Sequence, residues 1–175
     1  MLAILITIMA FQLVPPDGGH LADLRDVVPD VLAFALSFVF LGIYWNNHHH
    51  LFRATEYIDA AVMWANLALL FALTLIPGAT TWLAAHHEDS GPAVLYGLIG
   101  LAAGMAYFVL AKCIIRANPE SAVAARIGRD RKGVISVVLY AMGAGLAFVN
   151  PYVGIAMYVV VSIMWIVPDR RLADV

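Results

Sequence analysis

PAVLYGLIGLAAGMAYFVLAKCII, residues Pro92 to Ile115, carries a single charged side chain, Lys112. A helix of about 20 apolar residues crosses the roughly 30 Å hydrocarbon core of a bilayer. This one stretch therefore sets the solvent in which the chain folds. Further apolar stretches flank it on both sides. Leu2 to Val14 ends at Pro15-Pro16 and the turn-forming Asp17-Gly18-Gly19. The next runs from Val28 to His49, and another from Ile58 to Ala85 with Pro77 inside it. Beyond the quoted stretch, Gly133 to Val149 and Tyr152 to Val167 form a hairpin hinged at Asn150-Pro151. Of the 175 residues 63% are hydrophobic, and mean hydropathy is +0.86. The expectation is an all-α, polytopic membrane protein with six transmembrane helices per subunit, forming a single domain over residues 1–175.

Composition excludes several classes of function. No loop is long enough to fold into a catalytic or ligand-binding module of its own. A net charge of -2 gives no global attraction to nucleic acid. The single Cys113 rules out an internal disulfide framework. No basic stretch or small-residue cleavage pattern precedes Pro15, so a cleavable signal peptide is not expected.

Charge placement orients the spans. With both termini on one side, that side holds Arg53, Lys112, Arg116, Arg126, Arg129, Arg131, Lys132, Arg170 and Arg171, and the other holds only Arg25. Such an asymmetry puts both termini in the cytoplasm. Trp45, Trp64, Trp82 and Trp165 fall towards span ends, where indole rings suit either the headgroup region or a packed contact. The segment Ser121 to Lys132, small apolar residues mixed with basic ones, reads as lying along the inner membrane surface. Gly100 and Gly104 form a GxxxG, and Ala141, Gly143, Gly145 and Ala147 line the fifth span, both signs of close helix contact.

Polar groups inside a membrane need a partner or a purpose. They are densest in Tyr44-Trp45-Asn46-Asn47-His48-His49-His50-Leu51-Phe52-Arg53. On a helix Tyr44 and His48 lie one turn apart, as do Trp45 and His49. The third span adds Trp64, Asn66, Thr80 and Thr81, with Asp59 at its start, where the helix dipole favours a carboxylate. Three readings compete for the histidines. A metal site would want further ligands converging on them. The second pair, His86-His87, belongs at the opposite face, about 30 Å away, so no metal site is expected. A proton relay would want a mid-membrane carboxylate. The third reading is structural, with His48 and His49 fixing helix register.

Gly42-Ile43-Tyr44-Trp45-Asn46-Asn47-His48-His49-His50-Leu51-Phe52-Arg53 resembles the second-helix motif W-x-N-H-H-x-L-F of the prokaryotic members of the endolysosomal potassium channel family (transmembrane protein 175 family). Trp64-Ala65-Asn66-Leu67 followed by Leu75-Ile76-Pro77 is similar to that family's third helix. Ala3 to Ile8 is similar to the part of its first helix that follows the signature R-x-x-x-F-S-D. That signature is absent from this chain, which implies a first helix truncated at its N-terminus. Trp45, Asn47, His48 and Asn66 are the partners such an element would have.

The resemblance implies a homotetramer of six-helix subunits, without a P-loop filter, in which the first helix lines a central pore. Ile4, Thr7, Ile8 and Phe11 share one helical face by spacing, a pattern equally open to core or lipid-facing residues. By resemblance Ile4 takes the constriction position, Thr7 adds hydroxyls, and Ile8 and Phe11 continue the lining. Trp45, Asn47, His48, His49 and Asn66 would then hold the helices in register. The implied function is a modestly potassium-selective cation channel of the prokaryotic plasma membrane, not an enzyme. It would have no cofactor beyond permeant K+ ions, and its partners would be further copies of itself and membrane lipid. The alternative is a proton-permeable channel or proton-coupled transporter using the second-helix histidines.

Overall fold

The computed structural model describes residues 2–16, 18–53, 55–120 and 131–166. Its regular elements are α1 (Leu2–Ala10), a 3-10 turn (Leu21–Arg25), α2 (Val28–Arg53), α3 (Ala60–Thr74), α4 (Ile76–Ala85), α5 (Ser90–Ala117), α6 (Arg131–Ala147) and α7 (Pro151–Ile166). α3 and α4 are two halves of one span, so the helices of the described residues make six apolar segments. Among the described residues three are long and apolar enough to cross a membrane by themselves, namely α2, the α3–α4 pair and α5. α6 and α7 are shorter apolar helices, and α1 has nine residues.

Local chemistry explains the breaks. α1 stops at Ala10, four residues before the expected Val14. Gln12 and Leu13 donate to the carbonyls of Met9 and Ala10, three residues back, which tightens the last turn. Pro15 then forces Val14 out of the helical region. α3 starts where Asp59 caps it, its carboxylate accepting from the Val62 N–H at 2.8 Å. Pro77 has no N–H to continue the ladder, and the chain shifts register at Leu75, which donates to Ala72 at 3.3 Å. α2 and α5 run to Arg53 and Ala117, further than their apolar residues alone suggest, because basic residues suit a helix C-terminus.

α5 is the centre of the bundle, packing against α3, α4, α6 and α7. Its contact with α6 and α7 depends on missing side chains. A Cβ at Gly97 would collide with Tyr158, and one at Gly100 would lie 2.6 Å from the Tyr140 ring. Gly104 has only ordinary contacts, the nearest being Val137 at 3.5 Å. Of the two GxxxG glycines, Gly100 is therefore the one that the packing requires. Aromatic rings occupy the space so released. Tyr140 and Tyr158 stack at 5.6 Å, Tyr96 meets Tyr158 at 5.8 Å, and Phe40 of α2 sets its edge against Tyr140 at 6.1 Å.

One end of the bundle gathers the described basic residues of α2, α5 and α6. There Asn118, just past α5, accepts from the N–H groups of Glu56 and Tyr57 and donates to the Tyr57 and Ile114 carbonyls. Arg116 pairs with Asp59 at 3.6 Å. Arg53, Lys112, Arg116 and Lys132 thus share a side. Arg126, Arg129, Arg170, Arg171 and the segment 121–130 lie outside the described residues. Three of the four tryptophans are exposed, whereas Trp165 packs inward and donates to Ser136 Oγ at 2.8 Å.

Replacing Gly100 by Ala should destabilise the protein by about 1–3 kcal/mol through overpacking. Gly145→Ala, where a Cβ meets nothing within 4 Å, should be neutral or mildly stabilising. Thermal unfolding of the two variants in detergent checks the contrast.

Candidate functional site: the open face of α1 and the polar belt on α2

α1 lies against α2 and α4. Its Leu5 and Met9, one turn apart, are buried, with Met9 seated near Phe34 of α2 and Thr80 and Ala84 of α4. The remaining face carries Ile4, Thr7, Ile8 and Phe11, all exposed, with Ile4 at 61% and Phe11 at 83%. The spacing that aligned these four residues in the sequence therefore describes one continuous stripe that the subunit itself leaves uncovered. In a bilayer such a bare apolar face suits either lipid or a further helix.

Of the five residues expected to hold helix register, His48 and Asn66 join different helices. His48 Nε2 lies 2.8 Å from Asn66 Oδ1, linking α2 to α3. The amide oxygen can only accept, so the imidazole proton sits on Nε2. The His48 ring also packs on Phe52 at 4.5 Å. Trp45 and His49 stack nearly parallel on one helix, 5.8 Å apart at 11°, and both are exposed. Asn47 is buried and works locally: its Nδ2 donates to the Ile43 carbonyl at 2.9 Å, and its backbone carbonyl accepts from the Tyr107 hydroxyl at 3.5 Å. His50 Nδ1 is buried without a hydrogen-bond partner among the described residues. Tyr44 leaves the stripe expected with His48 and turns instead towards Phe40 and Tyr107.

His87 belongs to the other end of the bundle, its Nδ1 donating to the Ala84 carbonyl at 3.2 Å and its ring facing Tyr152. Among the described residues no three His, Cys, Asp or Glu side chains are grouped so as to hold a metal ion.

Sequence reasoning missed a second polar tie. Ser37 of α2, Tyr96 of α5 and Thr80 of α4 form a buried hydroxyl chain. Ser37 Oγ lies 2.9 Å from Tyr96 OH, and Thr80 Oγ1 lies 2.7 Å from both Ser37 Oγ and the Ile76 carbonyl. The available signal was the isolation of each hydroxyl in an apolar run, which demands a partner in hydrocarbon. This chain locks α4, on which α1 rests, to α2 and α5.

Comparison with known proteins follows the same lines. The family model described as "Endosomal/lysosomal potassium channel TMEM175" matches residues 1–77. A potassium channel of Chryseobacterium sp. (strain P1-3) is 40% identical over 172 residues, covering 98% of this chain and 90% of its own. A potassium channel of Streptomyces collinus is 32% identical, covering 85% and 78%. The crystal structure of a lysosomal potassium-selective channel TMEM175 homolog from Chamaesiphon minutus superposes with a TM-score of 0.81 at 25% identity, covering 94% of this chain and 90% of that one.

The His48–Asn66 link should behave as a coupled pair. His48→Leu and Asn66→Leu should each destabilise the bundle, and the double variant should cost less than their sum. The difference should be about 0.6 kcal/mol and at most about 1.7, the range of interhelical hydrogen bonds in membranes. Unfolding of the four proteins in mixed micelles measures it.

Proposed function

We propose that this chain, which belongs to the endosomal/lysosomal potassium channel TMEM175 family, is one subunit of a homotetrameric, potassium-preferring cation pore lined by α1. The observation that carries this reading is the bare face of α1. Leu5 and Met9 anchor the helix on its own subunit, while Ile4, Thr7, Ile8 and Phe11 are left for something outside it. Four such helices around an axis put these stripes together. The relatives named as potassium channels, and the likeness to a potassium-selective homolog, support the assignment.

In that arrangement Ile4 makes the narrowest ring, an apolar constriction that gates by dewetting or tight fit. Thr7, one turn on, supplies a ring of hydroxyls that replaces part of an ion's hydration shell. Potassium sheds water more readily than sodium, so a narrow and weakly polar ring favours it modestly. Ile8 and Phe11 continue the lining. Trp45, Asn47, His48, His49 and Asn66 act in register rather than in conduction. The commitment of His48 to Asn66 on the neighbouring helix favours that role over a proton relay. The whole chain, residues 1–175, works as one domain, with K+ as the permeant ion and no chemical reaction of its own.

The basic end of the bundle faces the cytoplasm under the positive-inside rule, with both termini on that side. The bacterial relatives favour a prokaryotic plasma membrane.

Purified protein in a planar bilayer, with potassium on one side and sodium on the other, tests the proposal. The reversal potential should be displaced towards potassium equilibrium, and Ile4→Asn should move it towards zero or raise the leak. An unchanged permeability ratio in Ile4→Asn removes Ile4 from the pore. Reversal at zero in the native protein rejects the potassium preference.

A further inference from the structure

Gly104, the glycine of the GxxxG that helix packing does not require, stands at a particular place. It lines a cavity of about 40 Å³ between α2, α5, α6 and α7, whose walls include Tyr44, Asn47, Ser136, Tyr140 and Ser162. A Cβ on Gly104 would stand 3.8 Å from the Tyr44 hydroxyl. The glycine therefore keeps open the space beside that oxygen.

Three of these walls carry polar atoms that no described residue satisfies. Tyr140, in the middle of α6, is only 3% exposed. Its ring packs on Phe40 and Tyr158, but among the described residues its hydroxyl makes no hydrogen bond. The same holds for the Tyr44 hydroxyl, whose ring lies 4.9 Å from that of Phe40. Asn47, also buried, spends its Nδ2 on the Ile43 carbonyl, and its Oδ1 is bonded to no described residue. Tyr44 interacts electrostatically with Tyr140, so their phenol ends are neighbours. Nearby, Ser162 Oγ donates its one proton to the Tyr158 carbonyl at 3.1 Å and keeps lone pairs with which to accept. Each tyrosine O–H needs an acceptor, and Asn47 Oδ1 needs a donor. Hydrocarbon offers neither, and a buried polar atom left without a partner is costly.

We propose that this cavity is a binding site for internal water. Water there accepts from the Tyr44 and Tyr140 hydroxyls and donates to Asn47 Oδ1 and Ser162 Oγ, which joins α2 to α6 and α7. A bound water takes roughly 10–15 Å³ of such space and about two to four polar partners. The cavity exceeds the first requirement, and its walls supply the second. Both donor and acceptor are needed, and water is both. Gly104 then makes room for the water, as Gly100 makes room for the Tyr140 ring. The site is independent of the pore assignment.

A structure of the full chain in lipid nanodiscs, at a resolution that shows ordered water, tests the site directly. Water density should lie within hydrogen-bond distance of the Tyr44 and Tyr140 oxygens. Well-ordered phenols with no such density would overturn the proposal, as would density for a cation or a lipid chain. Tyr→Phe substitutions give a second reading, because they remove the oxygen and keep the ring. Tyr140→Phe should lower the melting temperature by breaking a bond to the water, whereas removing an unsatisfied hydroxyl would raise it. Tyr44→Phe combined with Tyr140→Phe should reduce the folding equilibrium constant roughly three-fold less than the product of the single losses, through the shared water. Strictly multiplicative losses, or a stabilised Tyr140→Phe, would reject the site.

Discussion

The bundle depends on the close approach of α5 to α6 and α7, which Gly97 and Gly100 permit and Tyr140 and Tyr158 fill. In hydrocarbon there is no hydrophobic gain in bringing helices together, because lipid tails are as apolar as the side chains they would replace. Dispersion contact and internal hydrogen bonds must do that work. The tyrosines supply both, since their rings stack across three helices while the Tyr158 hydroxyl donates to the Ala93 carbonyl at 3.0 Å. Phe40 and Tyr44 bring α2 onto the same aromatic column.

From that column the support of α1 can be traced. The Ser37, Tyr96 and Thr80 hydroxyls tie α2 and α4 to α5. Thr80 Oγ1 reaches both Ser37 Oγ and the Ile76 carbonyl, and Ser37 Oγ reaches Tyr96 OH, so each hydroxyl in the bilayer interior has a partner and becomes a link instead of a cost. α4 exists as a separate half-helix because Pro77 breaks the ladder near Leu75. α1 then rests on α2 and α4, two elements already locked to each other. Its buried Leu5 and Met9 are fixed by this seat, and the direction of its open face follows.

The six apolar segments were legible because span length and the collection of charges between spans are coarse signals that a bilayer imposes strongly. The shared face of Ile4, Thr7, Ile8 and Phe11 followed from helical spacing alone. Its exposure did not, since spacing gives a face but not what covers it. The meeting of His48 and Asn66 was approachable, because both are polar groups at membrane depth that need partners. The end of α1 at Ala10 was not read correctly. Pro15 acts at a distance of several residues, and ahead of it the last turn tightens to bonds three residues back at Gln12 and Leu13. Gly100 and Gly104 looked equivalent in sequence, and only the position of the Tyr140 ring separates them. The hydroxyl chain went unread because Ser37 and Tyr96 carry no motif and lie 59 residues apart.

Asn118 holds the connection between α2 and α3 through backbone groups only. Glu56 and Tyr57 offer N–H and C=O groups that every residue except proline possesses. For this joint, then, either loop position can carry any non-proline side chain. Its specificity falls on one asparagine more than sixty positions away, whose amide is both donor and acceptor. Aspartate in its place would lose the donors, and leucine would lose everything but the volume.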